Sequence, residues 1–137
     1  MARQLREFEG SWRFSRRVEN ATGPDAVMEG TARFTPDGAG LTLHESGEMR
    51  LDGQGAFQAE RRYLWRAGPG RIVVLFDDGR PFHDFDPDEV APRAEHACDP
   101  DHYRVAYDFA RWPDWQAVWQ VRGPRKDYVM RTLYRRS

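Results

Sequence analysis

The stretch from Phe57 to Arg66 alternates without a break. Phe57, Ala59, Arg61, Tyr63 and Trp65 fall on one side, and Gln58, Glu60, Arg62 and Arg66 on the other. Successive side chains of a strand point to opposite faces, so this period of two reads as a half-buried β-strand rather than a helix of period 3.6. The same period recurs along the chain. Trp12, Phe14 and Val18 oppose Arg13, Ser15 and Arg17; Met28, Gly30, Ala32 and Phe34 share a face, as do Leu41, Leu43 and Glu45. Tyr103, Val105, Tyr107 and Phe109 alternate with Arg104, Ala106 and Asp108, and Trp115, Ala117, Trp119 and Val121 follow. Residues 71–76 are apolar on both faces, 81–85 and 95–98 are brief strands, and 126–135 close the chain.

Turn chemistry separates these runs: Asn20 to Asp25, Pro36-Asp37-Gly38, Asp52 to Gly55, Gly68-Pro69-Gly70, Asp77 to Arg80, Asp86-Pro87-Asp88, Asp99-Pro100-Asp101, Trp112-Pro113-Asp114 and Gly123-Pro124. Glycine supplies positive φ and proline fixes its own, so each is a tight connection. Short connections make sequence neighbours into spatial neighbours, which predicts an up-and-down meander of about ten strands. Closing the meander removes its sheet edges and leaves an interior for side chains or one small ligand. The expectation is an all-β, antiparallel barrel over residues 1–137 as a single domain. Leu5 and Phe8, three apart among charged residues 2–8, suit a short N-terminal helix plugging one end. The three- and four-residue spacing of Trp112, Trp115 and Trp119 could suit a helix, but Pro113 and the surrounding alternation place them in wall and rim.

The 137 residues can bury a core without staples, and 13% aromatic content belongs to a globular chain. A net charge of −1 argues against nucleic acid or an anionic membrane as partner. No apolar run approaches a membrane span and no signal-like segment follows Met1, so a cytoplasmic location is expected. Cys98 is alone, which rules out an internal disulfide, and it is expected as a small buried residue.

Gly10-Ser11-Trp12 at the head of the first strand resembles the Gly-x-Trp signature of the lipocalin and calycin superfamily. The resemblance implies a tryptophan at the barrel floor with an arginine of the last strand stacked across it, Arg131 or Arg135 here. The whole chain is similar to a family of small bacterial proteins catalogued as domain of unknown function 6314. The similarity is carried by Phe8 to Trp12, Phe82-His83-Asp84-Phe85, His96 to Tyr103 and Gly123 to Tyr128. It implies the lipocalin-like, calycin-type barrel and assigns no activity. Ten-stranded haem barrels of the nitrobindin type are similar in outline, but they take their iron-ligating histidine near the C-terminal strands. No histidine follows His102, and no cofactor is expected.

Alternation from Trp12, Leu43, Trp65, Tyr107 and Trp119 also turns Arg16, Glu45, Arg61 and Tyr63 inward. Buried charges must find each other, a ligand or water. The interior therefore reads either as a filled core with a satisfied polar network or as a pocket. In the pocket reading, Arg61 and Arg16 are partners for an anion, and Glu45 lies beside them. Tyr63, Tyr103, Tyr107 and Tyr128 then supply polar contacts, Trp65 and Trp119 supply walls, and His83 and His96 face the ligand. A small, partly apolar, anionic molecule is the ligand class expected. His83 or His96 could instead serve as general base of an isomerase, lyase or hydrolase. A filled barrel acting through its surface, as an interaction module or homodimer, is the third reading. His83, His96 and Cys98 lack tight metal-site spacing, and Asp84, Asp86, Asp88 and Glu95 imitate a calcium loop with Glu89 where glycine is needed, so no metal is expected.

Overall fold

The computed structural model describes residues 4–137. Ten antiparallel strands follow one 3₁₀ turn, η1 (Leu5–Phe8): β1 (Gly10–Asn20), β2 (Ala26–Pro36), β3 (Leu41–Leu51), β4 (Ala56–Gly68), β5 (Arg71–Phe76), β6 (Pro81–Phe85), β7 (Arg93–Cys98), β8 (Asp101–Asp108), β9 (Trp115–Gly123) and β10 (Lys126–Arg136). The helical expectation at residues 2 and 3 lies outside the described residues.

Each strand pairs with its sequence neighbour except at one place, and β10 returns to pair with β1. The sheet order is β6-β5-β4-β3-β2-β1-β10-β9-β8-β7, so the barrel is nearly closed, with its seam between β6 and β7. The connection across that seam, residues 86–92, is tied to β8 and its end. Tyr107 N–H donates to Pro92 O at 2.9 Å, and Phe109 N–H to Val90 O at 2.8 Å. Among the described residues, no helix is long and apolar enough to cross a membrane.

The inward rows are those of the sequence alternation. On β1, Trp12, Phe14 and Arg16 are buried; on β2, Met28, Ala32 and Phe34; on β3, Leu41, Leu43 and Glu45. Gly30 and Gly47 are paired across β2 and β3 where the two backbones approach closely. A Cβ on Gly30 would lie 2.1 Å from Ser46 O, so only glycine permits this approach.

One end is plugged by η1. Phe8, fully buried, packs against Phe34, Trp65, Phe109, Trp112 and Trp115, with ring centroids 5.0–6.0 Å apart. Removing such a ring from water contributes about 1.5–3 kcal/mol. Trp12 Nε1 donates to Phe8 O at 2.8 Å and so fastens the plug to the floor. The guanidinium stacked 3.9 Å above Trp12 is that of Arg136, correcting the expectation of Arg131 or Arg135. Arg136 is directly opposite Trp12 in the β1–β10 register, whereas Arg131 and Arg135 are exposed on the outer face. Arg136 Nη1 also donates to Glu9 O at 2.7 Å. Gly10 takes φ +113°, and a Cβ there would meet Arg136 Nη1 at 3.0 Å, which is why glycine precedes this tryptophan.

Candidate functional site

Neighbouring strands bring inward charges together. Glu45 on β3 lies opposite Arg61 on β4, and Arg16 on β1 lies opposite Thr132 on β10. Glu45 is 1% exposed, a position in which an unpaired carboxylate would be very costly. Its Oε1 accepts from Arg16 Nη2 and from Arg61 Nε, each at 2.8 Å, and Tyr134 O–H donates to Oε2. Burial works to raise the Glu45 carboxyl, but the charges of Arg16 and Arg61, with the Tyr134 bond, outweigh it and hold the group at about 2. Burial and the Glu45 charge push the Tyr134 phenol upward.

The two arginines differ in what they have left. Arg16 gives Nε to Thr132 Oγ1 at 2.8 Å, turns Nη1 toward Met28 Sδ at 3.9 Å and shares Nη2 with Tyr134 OH at 3.3 Å. Arg61 uses Nε on Glu45, and its guanidinium carbon stands 5.2 Å from the Tyr63 ring centroid. Its terminal amino groups make no hydrogen bond among the described residues, and its side chain is 35% exposed. Two guanidinium charges against one carboxylate leave this network with one positive charge.

Beside it lies a cavity of about 60 Å³ inside the barrel. Glu45, Arg61, Tyr63, Trp65, His83, Tyr103, Tyr107, Trp119 and Tyr128 border it; Arg16 and His96 do not. Arg16 is spent on Glu45, and His96 packs edge-on against Phe82 at 5.3 Å and Phe76 at 5.6 Å. Four lining residues were not singled out from the sequence as site residues: Phe82, Trp115, Met130 and Tyr134. Tyr134 shares inward parity with Tyr128, and that parity was the available signal. Phe82 stacks on Trp119 at 5.0 Å and on Tyr63 at 5.6 Å, forming one aromatic wall. At the rim, Lys126 Nζ donates to Tyr103 OH at 3.0 Å and pairs with Asp101 at 3.1 Å. Burial raises the half-buried Tyr128 phenol.

His83 is buried and shares a hydrogen bond of 2.8 Å between Nε2 and Tyr107 OH. Burial pushes the imidazole down to about 3, so it is neutral near pH 7, and burial also drives the Tyr107 phenol well above its usual range. His83 Nδ1, Trp65 Nε1 and Trp115 Nε1 are buried without a hydrogen-bond partner. Among the described residues, no group of three or more His, Cys, Asp or Glu is placed to hold a metal ion. Cys98 is exposed, against the expectation of a buried residue, because it ends β7, the strand beside the open seam.

Comparison with known proteins bears on the fold. The profile of a family of unknown function, DUF6314, matches residues 8–136. No curated protein matches the chain. Among solved structures, the S-type phycobiliprotein lyase from Guillardia theta superposes with a TM-score of 0.58 at 12% identity, over 97% of this chain and 90% of that one. A protein of unknown function from the DUF3598 family of Nostoc punctiforme gives a TM-score of 0.61 at 15% identity, over 99% of this chain. The present chain spans 50% of that protein's length.

Proposed function

The chain belongs to the DUF6314 family of unknown function, and from its barrel we propose that it binds a small, partly apolar, anionic molecule non-covalently in the cavity beside Arg61. The observation that carries this reading is the division of labour on Glu45. Arg16 and Tyr134 already satisfy the carboxylate, so the terminal amino groups of Arg61 remain for a ligand at the cavity wall. A planar guanidinium with two donors on one edge suits a carboxylate. The stacked wall of Tyr63, Phe82 and Trp119 supplies apolar contact. Tyr103 and Tyr128 at the rim supply orienting hydroxyls.

Catalysis is the second reading, and the His83–Tyr107 pair favours it, since an imidazole held by a phenol inside a cavity is a familiar acid–base arrangement. The two solved neighbours do not decide the matter: one is titled a lyase and the other has no known function. Against it stands the environment. An imidazole pushed down to about 3 is unprotonated near pH 7 but accepts protons poorly, the wrong tuning for a general base.

Native mass spectrometry of protein purified gently from its own host, beside its denatured mass, tests the binding reading. Added mass that leaves on denaturation and is missing from Arg61→Leu supports it. Equal added mass on wild type and Arg61→Leu contradicts the assignment to Arg61.

A further inference from the structure

The cavity wall has more hydrogens to give than acceptors to receive them, and this narrows the ligand. The argument rests on the reading above, that an anion sits beside Arg61. Trp65 Nε1 and Trp115 Nε1 are buried and unpartnered, and both residues border the cavity. An indole N–H can only donate. His83 and Tyr107 hold one imidazole hydrogen and one phenol hydrogen between them, and they share a single hydrogen bond. If Tyr107 donates to Nε2, the imidazole hydrogen sits on Nδ1, which has no partner. If Nε2 donates, the phenol hydrogen is the one left over. Either arrangement leaves the pair with a hydrogen to give.

Size adds a second limit. The cavity measures about 60 Å³, less than half of the roughly 150 Å³ that accommodates benzene in an engineered core. Only a short chain fits between the walls as they stand. A ligand that only accepts, at two points close together, matches both limits.

We infer that the occupant is a short 2-oxo acid, its carboxylate on the terminal amino groups of Arg61 and its keto oxygen facing the donors of Trp65, Trp115 and the His83–Tyr107 pair. A hydroxyl in place of the keto oxygen brings a hydrogen of its own into a wall already rich in them. A methylene leaves the donors unmet. Sites that hydrogen-bond a buried substrate oxygen reject the analogue lacking it, because their own polar groups are then stranded.

The test is calorimetric titration of the full chain with pyruvate, lactate and propionate, which share a three-carbon acid skeleton and differ only at the second carbon. Pyruvate is expected to bind at least about tenfold more tightly than either analogue. In His83→Phe and Trp65→Phe, which keep a ring in place, that preference should fall below about threefold while propionate affinity is retained. Far-UV circular dichroism establishes that both variants are folded. Equal affinity for all three acids in wild type, lost in Arg61→Leu, would overturn the keto assignment and leave the anion site standing. Failure of all three to bind wild type would overturn both.

Discussion

Arg61 donates to Glu45 through Nε, 2.8 Å from Oε1, and thereby turns its other edge to the cavity. The same oxygen accepts Arg16 at 2.8 Å, so one carboxylate joins β1, β3 and β4, and Tyr134 adds β10. Removing Glu45 should therefore be severe. Glu45→Leu strands Arg16 without its anion and should cost about 3–5 kcal/mol in urea unfolding. The double variant Arg16→Met, Glu45→Leu removes both charges and should recover most of that loss. A double variant no more stable than Glu45→Leu would show that the network is not what the single change breaks.

Acid should unfold the protein in part through His83. Its folded value of about 3 lies below the model value of 6.5, so between those limits the unfolded chain holds a proton that the folded chain does not. Stability from the neutral imidazole is thus full above about 6.5 and declines as pH falls toward 3, by up to about 2 kcal/mol between pH 6.5 and 5. Glu45, held at about 2 against 4.5, contributes above about 4.5 and is lost only in stronger acid. His83→Phe should flatten the stability profile between pH 5 and 6.5 relative to wild type. Parallel profiles for the two proteins would contradict a buried neutral histidine.

The glycine pair at the bend of β2 and β3 should be intolerant of side chains. Gly30→Ala places a Cβ 2.1 Å from Ser46 O, and Gly47→Ala one 2.2 Å from Glu29 O, both against backbone that cannot turn aside. Each should lower stability by about 2 kcal/mol or more. Gly55→Ala meets nothing within 4 Å and should be close to neutral, which makes it the control in thermal melts.

The floor contact has its own signature. Arg136→Ala removes the cation over Trp12 and the donor to Glu9 O, and should cost about 1–2 kcal/mol. Arg135→Ala, one residue away on the outer face, should cost little. Comparable melting temperatures for the two variants would argue against the stacked contact.

Much of this architecture was legible in the alternation, because inward and outward rows differ so sharply in side-chain chemistry. Arg16, Glu45 and Arg61 were turned inward by parity alone, and their need for one another followed from the cost of a buried charge. The stacking arginine was misplaced because its assignment followed the nearest candidates on the strand rather than their parity. Thr132 and Tyr134 face inward, so Arg136 does too, and Arg131 and Arg135 cannot. Cys98 was misjudged for a different reason. Its strand borders the seam, and a seam depends on which two strands fail to pair, information that no local pattern holds. The unmet donors of Trp65, Trp115 and His83 were equally out of reach, since they depend on the packing of rings from β4, β6 and β9.

The most direct test of the anion site is a titration of ¹⁵N-labelled protein with propionate, watching the indole N–H resonances in two-dimensional NMR. The account expects saturable shifts of the Trp65 and Trp115 resonances in wild type, and none in a folded Arg61→Leu variant at the same concentrations. No shift in wild type, or the same saturable shift in both proteins, would contradict it.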